Sequence, residues 1–133
     1  MSGLEVGASH GPISYPVTRP MLHRYAEASG DHNPIHLDPE FAVRVGLPDT
    51  IAHGMLTMGL AASALHTWFG GCDSVIEFGT RFSKPVVVPE EGTTVEVSAT
   101  VKDDLGDGRY AVEVMATSAG IKVLGMCRAI IQS

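Results

Sequence analysis

The chain has few cysteines, no excess of positive charge and no long uninterrupted apolar run, and each shortage excludes a class of protein. Only Cys72 and Cys127 occur among 133 residues, and neither belongs to a CxxC pair, so a disulfide framework is excluded. Nine Lys and Arg stand against fifteen Asp and Glu, for a formal charge of −6, and the deficit is shared evenly by the two halves. No basic tail or stripe is present to neutralise phosphates, so neither a nucleic acid nor a membrane surface is expected as a partner. The longest apolar stretch, residues 51–69, carries two His, two Thr, a Ser and two Gly, too interrupted for a membrane-spanning helix. The N-terminal residues have no basic and apolar pair of regions like those of a secretory signal. These shortages together place the expected location in a reducing cytoplasm.

What the chain does have is enough apolar material for one core. Hydrophobic residues make up 44% and charged residues 18%, and a domain of this size buries roughly two-thirds of its unfolded surface. No repeat or linker divides residues 1–133, which are expected to form a single domain. The first half carries helix punctuation. Thr18 reads as an N-cap, Pro20 lies in the first turn, Met21, Leu22, Tyr25 and Ala26 form a stripe, and Gly30 ends the helix. Pro34 argues for a loop over 31–36. Asp38-Pro39-Glu40 restarts a short helix that Gly46 closes. Residues 54–69 predict a helix apolar on nearly every side, and hence buried on every side.

Beyond Gly71 the period changes to two. Ile76, Phe78 and Phe82 alternate with Glu77, Arg81 and Ser83; Val95, Val97, Ala99 and Val101 alternate with Glu96, Ser98, Thr100 and Lys102. Tyr110, Val112 and Val114 continue after a turn at 103–108, and 121–131 forms a last strand after a turn at 118–120. Four strands joined by short turns predict an antiparallel meander curled around the apolar helix, an α+β fold. Its unpaired edges favour association into at least a dimer.

Several motifs are decoys. Residues 106–111 spell GxGxxA, but they join two strands instead of opening a helix, so a hairpin turn is expected and no dinucleotide cofactor. His32 and His36 have the spacing of a helical zinc pair, yet Pro34 stands between them and no further ligands of the right type complete a set, so no metal is expected. No GxSxG elbow or P-loop occurs.

Chemistry concentrates in Asp31, Asn33 and His36, a carboxylate, a carboxamide and an imidazole within six residues after a helix end. A carboxylate and an imidazole differ in proton affinity, so one can accept a proton while the other returns it. Downstream, Gly54 opens the apolar helix, where free amides point outward and a missing Cβ admits a ligand oxygen, the makings of an oxyanion site.

Tyr25-Ala-Glu-Ala-Ser-Gly-Asp31-His-Asn33-Pro-Ile-His36, followed by Ala42, resembles the hydratase 2 signature of the MaoC-like, (R)-specific enoyl-thioester hydratases. Ala52-His53-Gly54-Met55 resembles the second block of that family, and Arg81-Phe82 with Pro85 its first long strand. Ala28 departs from the pattern, standing where a Leu, Val, Ile or Gly is usual, and His32 is an unusual occupant of a variable position. The resemblance implies a single hotdog domain. It implies a lyase that adds water reversibly to a trans-2-enoyl thioester of CoA or acyl carrier protein, giving the (3R)-hydroxyacyl product without a cofactor. Asp31 and His36 would hold the water, Asn33 would support them and the Gly54 amide would polarise the thioester carbonyl. His53, Met55 and Leu56 would contact substrate, and Arg44, Arg81 or Lys84 would meet the carrier. The expected assembly is a homodimer, with a heterodimer as its variant. Two rival functions remain at this stage: a hotdog thioesterase, and a non-catalytic substrate-binding subunit.

Overall fold

Local signals decide the first half of the chain. The computed structural model describes residues 3–70 and 72–133. Helix α1 (Arg19–Ser29) starts where the Thr18 side chain accepts from the Met21 amide at 3.4 Å and stops at Gly30, whose φ of 80° only glycine adopts without strain. Its Leu22 and Ala26 are buried. Residues 34–37 are not loop but a single helical turn, α2 (Pro34–Leu37). Proline opens this turn because its missing N–H would have been unpaired at that position, and the Asn33 side chain caps it by accepting from the Ile35 amide at 3.2 Å. Helix α3 (Pro39–Arg44) is capped by Asp38, which accepts from the Glu40 and Phe41 amides.

Helix α4 (Gly54–Phe69) packs against the sheet, but on one side only. Thr57, Ala61, Ala64, Leu65 and Phe69 are buried, whereas Met55, Gly59, Ser63 and Thr67 form an exposed stripe. The expectation of burial on every side fails: beyond Met55 the outer face is lined by Gly59, Ser63 and Thr67, which are small or polar enough to meet solvent. The hydroxyls of Ser63 and Thr67 donate to the carbonyls of Gly59 and Ser63, each at 3.0 Å, so that face needs no partner to be satisfied.

Among the described residues, six strands form one antiparallel sheet: β1 (Ser9–Val17), β2 (Val75–Phe82), β3 (Thr93–Gly106), β4 (Arg109–Ser118), β5 (Ile121–Lys122) and β6 (Leu124–Gln132). Strand β1 has no counterpart in the sequence-based expectation. Gly11, Pro12 and Pro16 interrupt the alternation of Ile13, Tyr15 and Val17, and such prolines are tolerated because β1 is an edge strand. Two-residue turns at Asp107-Gly108 and Ala119-Gly120, all four residues at positive φ, close the later hairpins. The expected strand over 121–131 breaks at Val123 into β5 and β6. A register shift in the pairing of β6 with β2 and a positive φ at Met126 mark the bend.

The order is β1-β3-β4-β6-β2, with β5 attached to β4, so the sheet is not a simple meander. Hairpin turns tie β3 to β4 and β4 to the β5–β6 segment, and β1 takes the free side of β3. Only the far edge, beside β6, is left for β2. Residues 83–92 must then cross from the β2 edge, past β6 and β4, to β3, and this crossover lies against the segment that leads into α4. Val95, Val97, Ala99 and Val101 of β3 face the core as the alternation predicts. Cys127 is a buried free thiol, while Gly71 and the Cys72 side chain lie outside the described residues. No helix among the described residues is long and apolar enough to cross a membrane.

The two faces of α4 should respond differently to truncation. Leu65→Ala, at a fully buried position, is expected to lower unfolding free energy by about 2–5 kcal/mol in urea titrations. Met55→Ala, on the exposed stripe, should stay within about 0.5 kcal/mol of the parent.

Candidate active site

Three stretches of chain meet at the start of α4: residues 30–36, residues 50–54 and the crossover at 85–88. The middle stretch is pinned from both sides. On one side, the Ala52 amide donates to Val86 at 2.9 Å, the Val88 amide to Thr50 at 2.8 Å, and the Thr50 hydroxyl to Val88 at 2.8 Å. On the other, the Ile51 amide donates to Ile35 at 3.1 Å, and His36 Nδ1 donates to the Ile51 carbonyl at 2.7 Å. A carbonyl can only accept, so the His36 hydrogen on this side is on Nδ1. Nε2 is thereby turned toward Asp31, 3.9 Å from Oδ2.

That separation is too long for a direct hydrogen bond and suits one small molecule held by both groups. His36 is buried, 8% exposed, while the Asp31 side chain is open to solvent. The Asn33 amide donates to Asp31 Oδ1 at 3.1 Å, so Asn33 supports the carboxylate through its backbone and α2 through its side chain. Beside His36 lies a cavity of about 250 Å³, lined among others by Gly54, Thr57, Phe82, Ser83, Lys84 and Val86. In the first turn of α4 the Leu56 and Thr57 amides bond to His53. The Gly54 amide precedes them, with no intrahelical acceptor by its position. A Cβ on Gly54 would lie 2.9 Å from the Phe82 ring, so the missing side chain is what lets this wall close on the helix end.

The family model described as "MaoC like domain" matches residues 5–121. The chain belongs to the MaoC-like domain family. It is 38% identical over 73 residues to 3-hydroxyacyl-thioester dehydratase X of Mycobacterium tuberculosis, a match covering 55% of this chain and 25% of that protein. It is 33% identical over 108 residues to 3-hydroxyacyl-thioester dehydratase Z of Mycobacterium tuberculosis, covering 76% of this chain and 70% of that one. The chain thus spans a quarter of the first relative's length and more than two-thirds of the second's. Among solved structures, the unliganded R-hydratase PhaJ1 of Pseudomonas aeruginosa superposes with a TM-score of 0.85 at 30% identity, over 98% of this chain and 82% of that one. The fold is accordingly the hotdog fold.

In this MaoC-like domain, of the expected Asp31, Asn33, His36 and Gly54, only His36 and Gly54 line the cavity; Asp31 stands 3.9 Å from His36 and the Asn33 amide bonds to Asp31. His53, Met55 and Leu56 do not line the cavity. One residue advances a helix by about 100°, so Gly54 and Thr57 share the cavity face while Met55 and Leu56 turn away from it. Met55 is exposed and Leu56 packs on the core. His53 is 2% exposed and lies behind His36, the two rings stacked at 3.9 Å with an interplanar angle of 23°. Arg44 sits over the Phe41 ring, away from the cavity. His32 faces solvent, paired with Glu27 at 3.1 Å, which raises its pKa. The structure adds Thr57, Phe82, Ser83 and Val86 to the site. Of these only Phe82 carried a signal in the sequence, through the Arg81-Phe82 block, and nothing in a strand's alternation says which end of it meets a helix.

Asp31, His36 and His53 offer ligand-type atoms within 4.8 Å of one another. Stacked rings direct their in-plane lone pairs along nearly parallel planes, which does not converge them on one ion as tetrahedral coordination requires. The arrangement suits proton transfer better.

Burial holds the His53 imidazole below its ordinary value of 6.5; His36 and His32 add to the depression, while Asp31, through its carbonyl and its charge, opposes it. The unfolded chain therefore takes up this proton first, so stability should fall as pH drops below about 6.5. Urea midpoints measured from pH 7.5 to pH 5 should fall less steeply for His53→Phe than for the parent.

Proposed function

We propose that this domain is a hydro-lyase that interconverts trans-2-enoyl thioesters and (3R)-hydroxyacyl thioesters. The observation that carries the reading is the pair Asp31 Oδ2 and His36 Nε2, 3.9 Å apart, with His36 bordering the cavity that the start of α4 also lines. Two acceptors facing each other call for a double donor between them, and water is the small one. In hydration, Asp31 removes a proton as the water oxygen bonds to C3, and His36 orients the water and shares that proton. Charge moving onto the thioester oxygen is met by the Gly54 amide at the positive end of α4. A proton returned to C2 from the same pair makes the addition syn, because one pair then delivers both the hydroxyl and the proton to the same face of the double bond. The similarity to a protein named an R-hydratase supports the (3R) product.

Lys84 is the one lysine or arginine lining the cavity among the described residues, and it is best placed to meet the phosphate of a CoA or acyl carrier protein thioester. Those carriers and the reduced Cys127 fit a cytoplasmic setting.

Activity should be followed as loss of enoyl absorbance with crotonyl-CoA, alongside an assay for released thiol. Asp31→Asn and His36→Ala should each lower kcat by roughly 10²–10⁴ with the fold intact by circular dichroism. The double variant should lose much less than the product of the two. Thiol release without hydration would identify a thioesterase instead, and a folded Asp31→Asn protein with normal turnover would sink the reading.

A second copy of the chain completes this proposal. Strand β2 is a free edge, its Ile76 and Phe82 are 47% and 56% exposed, and Phe82 is also a cavity wall. Pairing along β2 would remove the open edge and border the cavity. Sedimentation should give twice the 14.0 kDa chain mass, and Ile76→Arg should shift it toward the single chain. A fully active monomer at micromolar concentration would overturn the dimer, and activity only with a second, different chain would replace it with a heterodimer.

A further inference from the structure

We propose that His53 is a positioning residue: its N–H anchors the backbone of Asp31, while its ring packs behind His36. The inference rests on the hydro-lyase reading for its kinetic consequence, but not for its structural one.

The stretch 30–33 between α1 and α2 has no regular structure of its own, yet it carries the carboxylate. Its hydrogen bonds are nearly all local. Gly30 donates to Ala26, Asp31 to the Ser29 hydroxyl, Asn33 to Asp31 and His36 to Asn33, and His32 pairs with Glu27 five residues back. Local bonds of this kind shape a turn without fixing where it sits on the protein. Among the described residues, the only hydrogen bond that ties this stretch to a distant part of the chain is His53 Nε2 to the Asp31 carbonyl, 3.0 Å long and spanning 22 residues. That carbonyl accepts, so Nε2 carries the hydrogen and Nδ1 a lone pair. Nδ1 is buried without a partner.

An orphaned buried nitrogen is unfavourable, and a ring such as phenylalanine would fill the same space without one. What the imidazole adds is a flat face and an N–H at once. The face lies 3.9 Å from His36 on one side, and the Tyr25 ring approaches at 4.7 Å on the other. The groups around His53 are therefore Tyr25 from α1, Asp31 and His32 from the connecting stretch, and His36 from α2. Gly54 follows His53 directly, so a single segment holds the backbone that bears the carboxylate, packs on the imidazole and presents the amide. A displacement of about 1 Å in such a set can cost on the order of 10²-fold in rate.

Two substitutions separate the parts. His53→Gln keeps an N–H at the place of Nε2, and His53→Phe keeps the ring and removes the N–H. With crotonyl-CoA, His53→Phe should lower kcat roughly 10–100-fold with KM within about twofold, while His53→Gln should retain kcat within about threefold. Amide hydrogen exchange at Asn33, Ile35 and His36 should accelerate in His53→Phe and not in His53→Gln, at matched melting temperature. Unchanged kcat and exchange in a folded His53→Phe would overturn the proposal. So would a rise in KM alone in both variants, which would make His53 a substrate contact, or a fall in melting temperature equal in both, which would make it packing. If the parent protein lacks hydratase activity, the reaction assignment fails, and the exchange result still decides the role of His53.

Discussion

The structure turns on the hydrogen bonding of residues 50–54, a short extended segment held on both sides before it becomes a helix. One side is bonded to the crossover at Val86 and Val88, the other to Ile35 and His36. The segment behaves as a miniature strand between two neighbours, and it is followed at once by the first turn of α4. Its rigidity is inherited by every group of the site. The His36 tautomer, the Asp31 backbone and the Gly54 amide depend on Ile51, His53 and Gly54, neighbours in one pinned stretch. Pre-organisation of this kind lets hydrogen-bond donors act on developing charge without reorganising as the reaction proceeds.

The sheet supplies the other half of that constraint. Because β2 pairs with β6 and not with β3, the chain must cross from the β2 edge to β3, and the crossover that results is what braces residues 50–52. The same crossover brings Ser83, Lys84 and Val86 to the cavity, directly after Phe82 at the end of β2. A plain meander with the same strands would leave the start of α4 unbraced and the cavity without this wall. Topology here has a chemical consequence, since it determines which side chains face the cavity. The exposed outer stripe of α4 belongs to the same plan: the helix meets the sheet with one face, and its small outer residues satisfy their own hydroxyls.

The features that were legible beforehand obey rules of short range. Thr18, Gly30 and Asp38 mark helix ends because a cap is made within three or four residues, and the structure finds each of them in that role. The Val95 to Val101 alternation names the core face of β3 because strand geometry alone sets it. Strand β1 escaped notice because proline and glycine break its pattern, and only its place at the sheet edge makes them tolerable. Pro34 pointed to a loop because a proline breaks a helix interior, whereas this one starts a new turn.

The sequence by itself determined the chemical inventory: a carboxylate, an amide-bearing loop and an imidazole near one another, a glycine at a helix start, and the family to which their spacing belongs. It also determined the class of the fold, since one apolar helix followed by alternating strands has few ways to bury itself. Strand order, the one-sided burial of α4 and the membership of the cavity wall were decided by tertiary structure, because each depends on a pairing between distant segments. The place of His53 is the clearest case. Its motif position suggested a substrate contact, whereas in the structure its nitrogen bonds across 22 residues to the Asp31 carbonyl and its ring stacks on His36. No local pattern encodes that, because an imidazole offers two nitrogens and two faces, and only the fold decides which of them finds a partner.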